Sequence, residues 1–343
     1  MTTGSTTNPY SLDLKFGLFN VENLFLLFDH PIPPHFQKLA EPQWQKLSAS
    51  VYENKPLSKC LQMAQIIKEN NPDIMMFCEV GGIESLKNFN ELFLDSQYSV
   101  ALIEGNSDRH IDVGFLIKKT NEFYFDLATN KNRPLNFLYP HENTSVKTGY
   151  PVKGTTHFFS RDCAELRLFK NDRNNPFMII LLTHLKSRLD PERIDPGGLE
   201  RRSAELRTAV DIYKEIRTLH PEVPVLFAGD MNGFAGASST DAEFAAIYKE
   251  TDLQDILEVA NVSADKRSTF FQIKNGAKVD GKQIDFCFLP ASLHPHLKAE
   301  SALVYKFKDE FGFPLDTPRS IEDKARLPSD HYPLFFALEK LKI

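Results

Sequence analysis

Residues 177–187 read FMIILLTHLKS and residues 223–233 read VPVLFAGDMNG. In each, an apolar run of the length of one buried strand stops abruptly at polar side chains, His184 in the first and Asp230 and Asn232 in the second. Between them Gly198–Leu219 repeats Leu206, Ala209, Val210 and Tyr213 at helical spacing, which predicts an amphipathic helix. The same reading carried outward predicts further strands at Leu14–Phe19, Ile74–Cys78, Val100–Ile103, Val113–Ile117, Ala164–Phe169, Ile284–Leu289 and Pro333–Leu338. A second helix, Ser58–Glu69, is striped by Cys60, Leu61, Met63, Ala64 and Ile67 and stopped by Asn71-Pro72. Strands with helices among them, but not in strict alternation, predict an α/β (α+β) chain of mixed sheets covered by helices, which a four-layer sandwich fits.

The chain has 343 residues, 42% of them hydrophobic and 25% charged, so it can bury a large core. Its net charge of -6 lacks the basic balance of a protein that coats nucleic acid. An enzyme that holds phosphate through a cation can still be acidic overall. Cys60, Cys78, Cys163 and Cys287 stand far apart without a C-x-x-C pair, and buried free thiols are their expected state. The opening MTTGSTTNPY has no apolar signal core, and the longest apolar run, Phe177–Leu182, is too short for a membrane span, so a cytoplasmic protein without such a span is expected. Two stretches, His30–Lys55 and Thr129–Phe159, lack periodicity and are read as long loops.

Polar residues that end or open strands form an ordered series: Asn20 and Asn23, Glu79, His184, Asp230 and Asn232, Asp285, then Asp330-His331. Gathering several carboxylates at one end of a sheet is costly unless cations neutralise them. An oxygen-rich donor set without paired thiolates favours Mg²⁺, or alternatively Mn²⁺, over structural zinc. Singly, each residue has an ordinary explanation: Glu79 as a solvated carboxylate, His184 as a hydrogen-bonded core histidine, Asp230 and Asn232 as turn formers, Asp330-His331 as a loop start.

The ordered segments FNVENLF (19–25), PDIMMFCEV (72–80), DRHIDVGFLI (108–117), FSRD (159–162), THLKS (183–187), AGDMNG (228–233), QIDFCFL (283–289) and SDHYP (329–333) resemble the endonuclease/exonuclease/phosphatase superfamily. The resemblance implies a four-layer αββα sandwich with two packed mixed β-sheets. It also implies a single catalytic domain, read as residues 13–343, and residues 1–12 are expected to be a disordered or extended N-terminal segment. It implies Glu79 and Asp330 as metal ligands and Asp230 as the residue that orients or deprotonates the attacking water. Asn20, Asn232 and Arg161 become phosphate contacts, and His331, with Asp285 holding its ring, becomes the catalytic histidine. His184 becomes a second phosphate-facing histidine, with Asp112 in RHIDVG either its carboxylate partner or an exposed strand-edge carboxylate. His110 departs from the small residue of the RGIDV version common among bacterial-type members.

The reaction implied is divalent-metal-dependent phosphodiester hydrolysis by in-line attack of water, and no covalent-nucleophile or Walker-type motif competes with it. Nucleic acid is the leading expected substrate, and a small-molecule or lipid head-group phosphate ester is the alternative. A silent binding module is disfavoured because no expected acidic or histidine position is lost. Lys186, Arg188, Arg193, Arg201, Arg202 and Arg207 are read either as a phosphate groove or as a solvated helix face interleaved with Glu192, Glu200 and Glu205.

Overall fold

Strands rich in Leu, Ile, Phe and Met pair into two sheets of six in the computed structural model, which describes residues 11–142, 156–170, 172–191, 193–238, 241–274 and 278–343. Most of the expected N-terminal segment, the centre of the second loop and Glu192 lie outside the described residues. From edge to edge the first sheet runs β13 (Leu303–Val304), β14 (Leu334–Lys342), β1 (Ser11–Leu24), β2 (Ile74–Val80), β4 (Asp112–Lys118) and β3 (Tyr98–Ala101). The second runs β5 (Tyr124–Ala128), β6 (Cys163–Phe169), β7 (Met178–His184), β8 (Val225–Asp230), β12 (Asp285–Pro290) and β9 (Leu253–Asp255). β10 (Phe270–Lys274) and β11 (Lys278–Lys282) form a separate hairpin.

Each sheet has one parallel pair at its centre, β1 with β2 and β7 with β8, and every other pairing is antiparallel. These central strands are buried on both faces, which is why they read as continuous apolar runs. Alternate residues serve two cores. Along β7, Ile180 and Leu182 join the core between the sheets, while Ile179 and Leu181 pack under the helix Leu199–Leu219 through Leu206, Val210 and Tyr213. Along β2, Cys78 reaches Thr183 of the second sheet while Phe77 meets Phe89 of the helix Gly82–Phe93 edge-on. Helix, sheet, sheet and helix thus stack as the expected αββα sandwich, and the four cysteines are buried and free.

All nine expected strand runs overlap a strand, although β3 covers only Val100 and Ala101 of the run Val100–Ile103. Those missed, β5, β9, β10, β11 and β13, are short and lie at sheet edges or in the separate hairpin. The expected loop His30–Lys55 contains a short helix, Glu41–Gln45, whose Trp44 is fully buried and donates Nε1–H to the Lys55 carbonyl at 3.0 Å. No helix among the described residues is long and apolar enough to cross a membrane.

A buried carboxyl underlies the second sheet. Asp255 accepts the Gln283 amide at 3.0 Å and the Leu257 N–H at 3.3 Å, and burial pushes its pKa up to about 7. Because the folded value exceeds the unfolded one, the stability this carboxyl contributes is fully present below about pH 4 and is lost as pH rises toward 7. Asp255→Asn, with the Gln283 amide turned to offer its oxygen, is expected to gain stability over wild type at pH 8 and little at pH 5 by denaturant unfolding. Equal differences at both pH values would refute the reading.

Candidate functional site

Topology brings the polar series to one rim. The C-terminal ends of the parallel central strands and the N-terminal ends of their antiparallel neighbours lie at the same edge. The registers show it directly: Asn20 opposes Cys78, His184 opposes Asp230, Asp230 opposes Asp285, and Val80 opposes Asp112. Leu18 opposes Leu334, which carries Asp330 and His331 to the Asn20 end. A cleft of about 320 Å³ opens there, lined among others by Glu79, Arg161, His184, Asp230, Asp330 and His331.

The backbone is strained around this rim. Glu22 (φ 47), Asn23 (φ 58), Glu79 (φ 66), His110 (φ 54) and Asn232 (φ 50) all occupy the left-handed region. Asn and His tolerate it, whereas Glu is uncommon there, and such strain concentrates where side chains must be aimed. His110 stands where a small residue is the common alternative, and its left-handed backbone is one that glycine adopts freely and histidine tolerates. Gly229, beside Asp230, has φ 149, and a Cβ there would come within 1.8 Å of the Thr183 carbonyl. Only glycine lets β7 and β8 stay paired to their last residues.

Asp230 is the hub. Its Oδ2 accepts Asn20 Nδ2 at 2.9 Å and lies 3.6 Å from His184 Nε2 and 3.9 Å from His331 Nε2, while Oδ1 accepts the Asn232 N–H at 2.8 Å. Burial, then the Asp285 charge, raises its pKa. Asp285 Oδ2 is 2.8 Å from His331 Nδ1, which fixes that ring. Burial works against charge on His331, but Asp285 and Asp330 outweigh it and hold the pKa well above the ordinary histidine range. His184 goes the other way: burial, helped by Arg161 and His331, holds it well below that range, so it is neutral. The two imidazoles of the site therefore carry different charge at neutral pH.

Glu79 accepts the Asn23 N–H on Oε2 at 3.2 Å, and its Oε1 lies 3.9 Å from the neutral His184 ring. Asn23 in turn is held by Arg109 at 2.6 Å. Asp330 lies 3.3 Å from Lys324 Nζ and 3.8 Å from His331 Nε2. Burial works to raise its pKa, but the charges of His331 and Lys324 leave it below the usual carboxylate range. Arg161 is buried, its Nη1 reaching only Ser160 Oγ at 3.3 Å and the Leu185 carbonyl at 3.4 Å, with Nε unpartnered. A guanidinium with idle donors at a cleft wall is suited to an anion. Asn232 also lines the cleft and gives Nδ2–H to the Leu185 carbonyl at 3.0 Å.

The ligand atoms of Asp230, Asp285 and His331 lie within 4.8 Å of one another, close enough for a metal ion to bridge. Asp285 and His331 already bond to each other through Oδ2 and Nδ1, so a cation there would have to share or displace that bond. Glu79 and Asp330 also line the cleft, and carboxylate oxygens are the donor type that suits a hard cation.

Two expectations fail. Asp112 does not pair with His184: its Oδ1 accepts the Gly105 N–H at 2.6 Å, and His184 Nδ1 has no partner. Nor is Asp112 an exposed edge carboxylate, since β4 lies between β2 and β3 and the side chain is buried, which raises its pKa. The proposed phosphate groove also dissolves. Of its six cations only Arg188 lines the cleft, and Arg202 is an interior residue, paired with Glu243 at 2.9 Å.

The solvated-face alternative fails at Glu205. This fully buried carboxylate accepts the Ser160 N–H at 2.7 Å and the Lys186 N–H at 2.6 Å. One side chain of the helix Leu199–Leu219 thereby clamps the segments bearing Arg161 and His184. Glu205→Gln would set an NH2 group against one of those N–H donors and is expected to cost about 1–3 kcal/mol of stability in denaturant unfolding. A change within about 0.5 kcal/mol, the size of an ordinary surface substitution, would show that the clamp holds nothing.

No family model matches the chain, and no curated protein matches it in sequence. Solved structures do match in fold. An endonuclease/exonuclease/phosphatase family protein from Bacteroides thetaiotaomicron superposes over 96% of this chain and 98% of its own, at 16% identity and a TM-score of 0.56. TDP2 from D. rerio, in complex with a single-strand DNA product, superposes over 95% and 98%, at 14% identity and a TM-score of 0.55. A mannosyl-6-phosphatase from Bacteroides thetaiotaomicron superposes over 94% and 98%, at 15% identity and a TM-score of 0.55.

Proposed function

We propose that the chain is a divalent-metal-dependent phosphodiester hydrolase and, within that class, a nuclease. The observation that carries the reading is the convergence on Asp230 Oδ2 of Asn20, His184 and His331 nitrogens within 2.9–3.9 Å, beside a carboxylate, Glu79, that has no lysine or arginine paired with it among the described residues. A half-buried carboxylate facing a neutral imidazole is stabilised by a cation, so the donor set fits Mg²⁺ or Mn²⁺ held by Glu79 and Asp330. When bound, such an ion supplies positive charge against the phosphoryl oxygens.

The chain's own residues supply the remainder. Asp230, with its raised pKa, is a competent base for the attacking water, and Asn20 holds its carboxylate in place. Arg161, Asn232 and the neutral His184 surround the phosphate. His331, charged and braced by Asp285, stabilises or protonates the departing oxygen. The fold shared with TDP2 in complex with a DNA product supports a polynucleotide substrate. The fold shared with a mannosyl-6-phosphatase supports the second reading, a small phosphate ester.

The test is parallel incubation with Mg²⁺ or Mn²⁺ and plasmid DNA, RNA, bis-p-nitrophenyl phosphate and inositol phosphates. Degraded polynucleotide is expected. Turnover of small phosphates alone would select the second reading, and inertness toward all of them would refute both.

A further inference from the structure

The hairpin β10–β11 belongs to neither sheet, and its two faces differ. Cross-strand register pairs Phe270 with Lys282, Gln272 with Asp280, and Lys274 with Lys278, so these six side chains share one face. The opposite face carries Phe271, Ile273 and Val279, and Phe271 packs edge-on against Tyr332. The first face begins in the cleft, where Phe270, Gln272 and Lys282 are part of the wall and the Phe270 ring lies 5.1 Å from that of His331. It ends at the exposed Lys278 and at the exposed Lys274, whose ammonium lies 3.1 Å from Asp280 Oδ2 in a surface pair weak enough for a phosphate to compete with. In a chain of net charge -6 this face carries three lysines against one aspartate.

Lys282 is held where an anion would meet it. Its ammonium lies 5.2 Å from the centre of the Phe234 ring and donates to Gln272 Oε1 at 2.6 Å. Burial, joined by the positive charges of Lys274 and Arg188, lowers its pKa although Asp280 and Asp241 pull the other way, and a phosphate set against these three cations would favour the charged ammonium. Since a lysine can only donate, Gln272 must present its oxygen to Lys282 and turns its NH2 group toward other acceptors. Arg188, 5.0 Å from the same Phe234 ring, gives its Nε–H to the Asn232 carbonyl and so ties this wall to the candidate phosphate site. From Lys282 to Lys278 the strand advances about 13 Å, at roughly 3.3 Å per residue. That is a path for successive phosphates of an extended strand and has no use for a single small phosphate.

We propose that this face of the hairpin carries a single polynucleotide strand away from the cleft, with Lys282 taking the phosphate next to the scissile one and Lys274 and Lys278 taking those beyond it. The inference deepens the nuclease reading and rests on it for the identity of the scissile phosphate, but strand binding can be measured without turnover.

The experiment is fluorescence anisotropy of a short fluorescein-labelled single-stranded oligonucleotide titrated with the full chain in EDTA over a series of salt concentrations. Lys274→Gln/Lys278→Gln, both on exposed positions, is expected to weaken binding and to lower the slope of log affinity against log salt by about 0.7 for each phosphate left without its lysine. Lys282→Gln is expected to lower it by one such step. With Mg²⁺ present, the ratio of oligonucleotide to bis-p-nitrophenyl phosphate cleavage should fall in both variants. An unchanged slope and ratio would overturn the proposal, as would a wild-type protein that cleaves bis-p-nitrophenyl phosphate but does not bind the strand, an outcome that leaves the hydrolase reading standing. Lysine-dependent strand binding by a protein inert toward every phosphate ester would uphold the hairpin and sink the hydrolase reading instead.

Discussion

Glu79→Gln is expected to abolish Mg²⁺- or Mn²⁺-dependent hydrolysis while leaving the fold in place. Glutamine has the size of glutamate and keeps an oxygen for the Asn23 N–H, so the residue at φ 66 retains its bond to the end of β1. It loses the negative charge, which no lysine or arginine among the described residues meets in a close ion pair. Losing an outer partner of a ligand already costs about 10–100-fold in metal affinity, and losing a ligand's charge should cost at least that much. Calorimetric titration with Mn²⁺ and the Mg²⁺ dependence of turnover read the effect, and thermal unfolding without metal reads the fold. Native metal affinity with near-normal turnover would remove Glu79 from the site.

Residues such as Glu79 are legible from sequence because a charged side chain that ends a doubly buried strand has nowhere to go but the rim. The same logic finds Asn20, His184, Asp230, Asp285 and His331, and the sheets place all of them at one edge. Sequence order gives the end of the strand at which a side chain sits, though not the direction it takes there. Asp112 does sit at the rim, yet it turns to the Gly105 amide, because a backbone N–H seven residues away is a partner that residue spacing does not reveal.

Glu205 is illegible for a different reason. Helical periodicity marks the apolar stripe, and a glutamate within LERRSAELR reads as solvated unless the loops packed over that helix are known to offer unpaired N–H groups. The β10–β11 hairpin escapes notice because FFQIK and KVDGK are short and belong to no buried sheet, so their apolar signal is weak. What sequence reads well is burial, and what it misses is polar side chains whose partners are backbone groups of distant loops.

His331→Ala is expected to slow the chemical step by about 10²–10⁴-fold with little change in KM. The ring is fixed at Nδ1 by Asp285 at 2.8 Å and turns Nε2 toward the cleft, within 3.8 Å of Asp330 and 3.9 Å of Asp230. Those carboxylates keep it charged against the pull of burial, so it can give a proton or a positive charge to an oxygen that leaves phosphorus. How much that matters depends on the leaving group. An alkoxide from a sugar needs it, whereas p-nitrophenolate departs readily without it. The loss should therefore be large on oligonucleotide and much smaller on bis-p-nitrophenyl phosphate, and Asp285→Asn, which leaves the ring in place but removes the charge behind it, should show the same ordering in milder form. Equal losses on both substrates would assign His331 to binding the phosphoryl group, and a rise in KM alone would make it a substrate contact with no part in the chemistry.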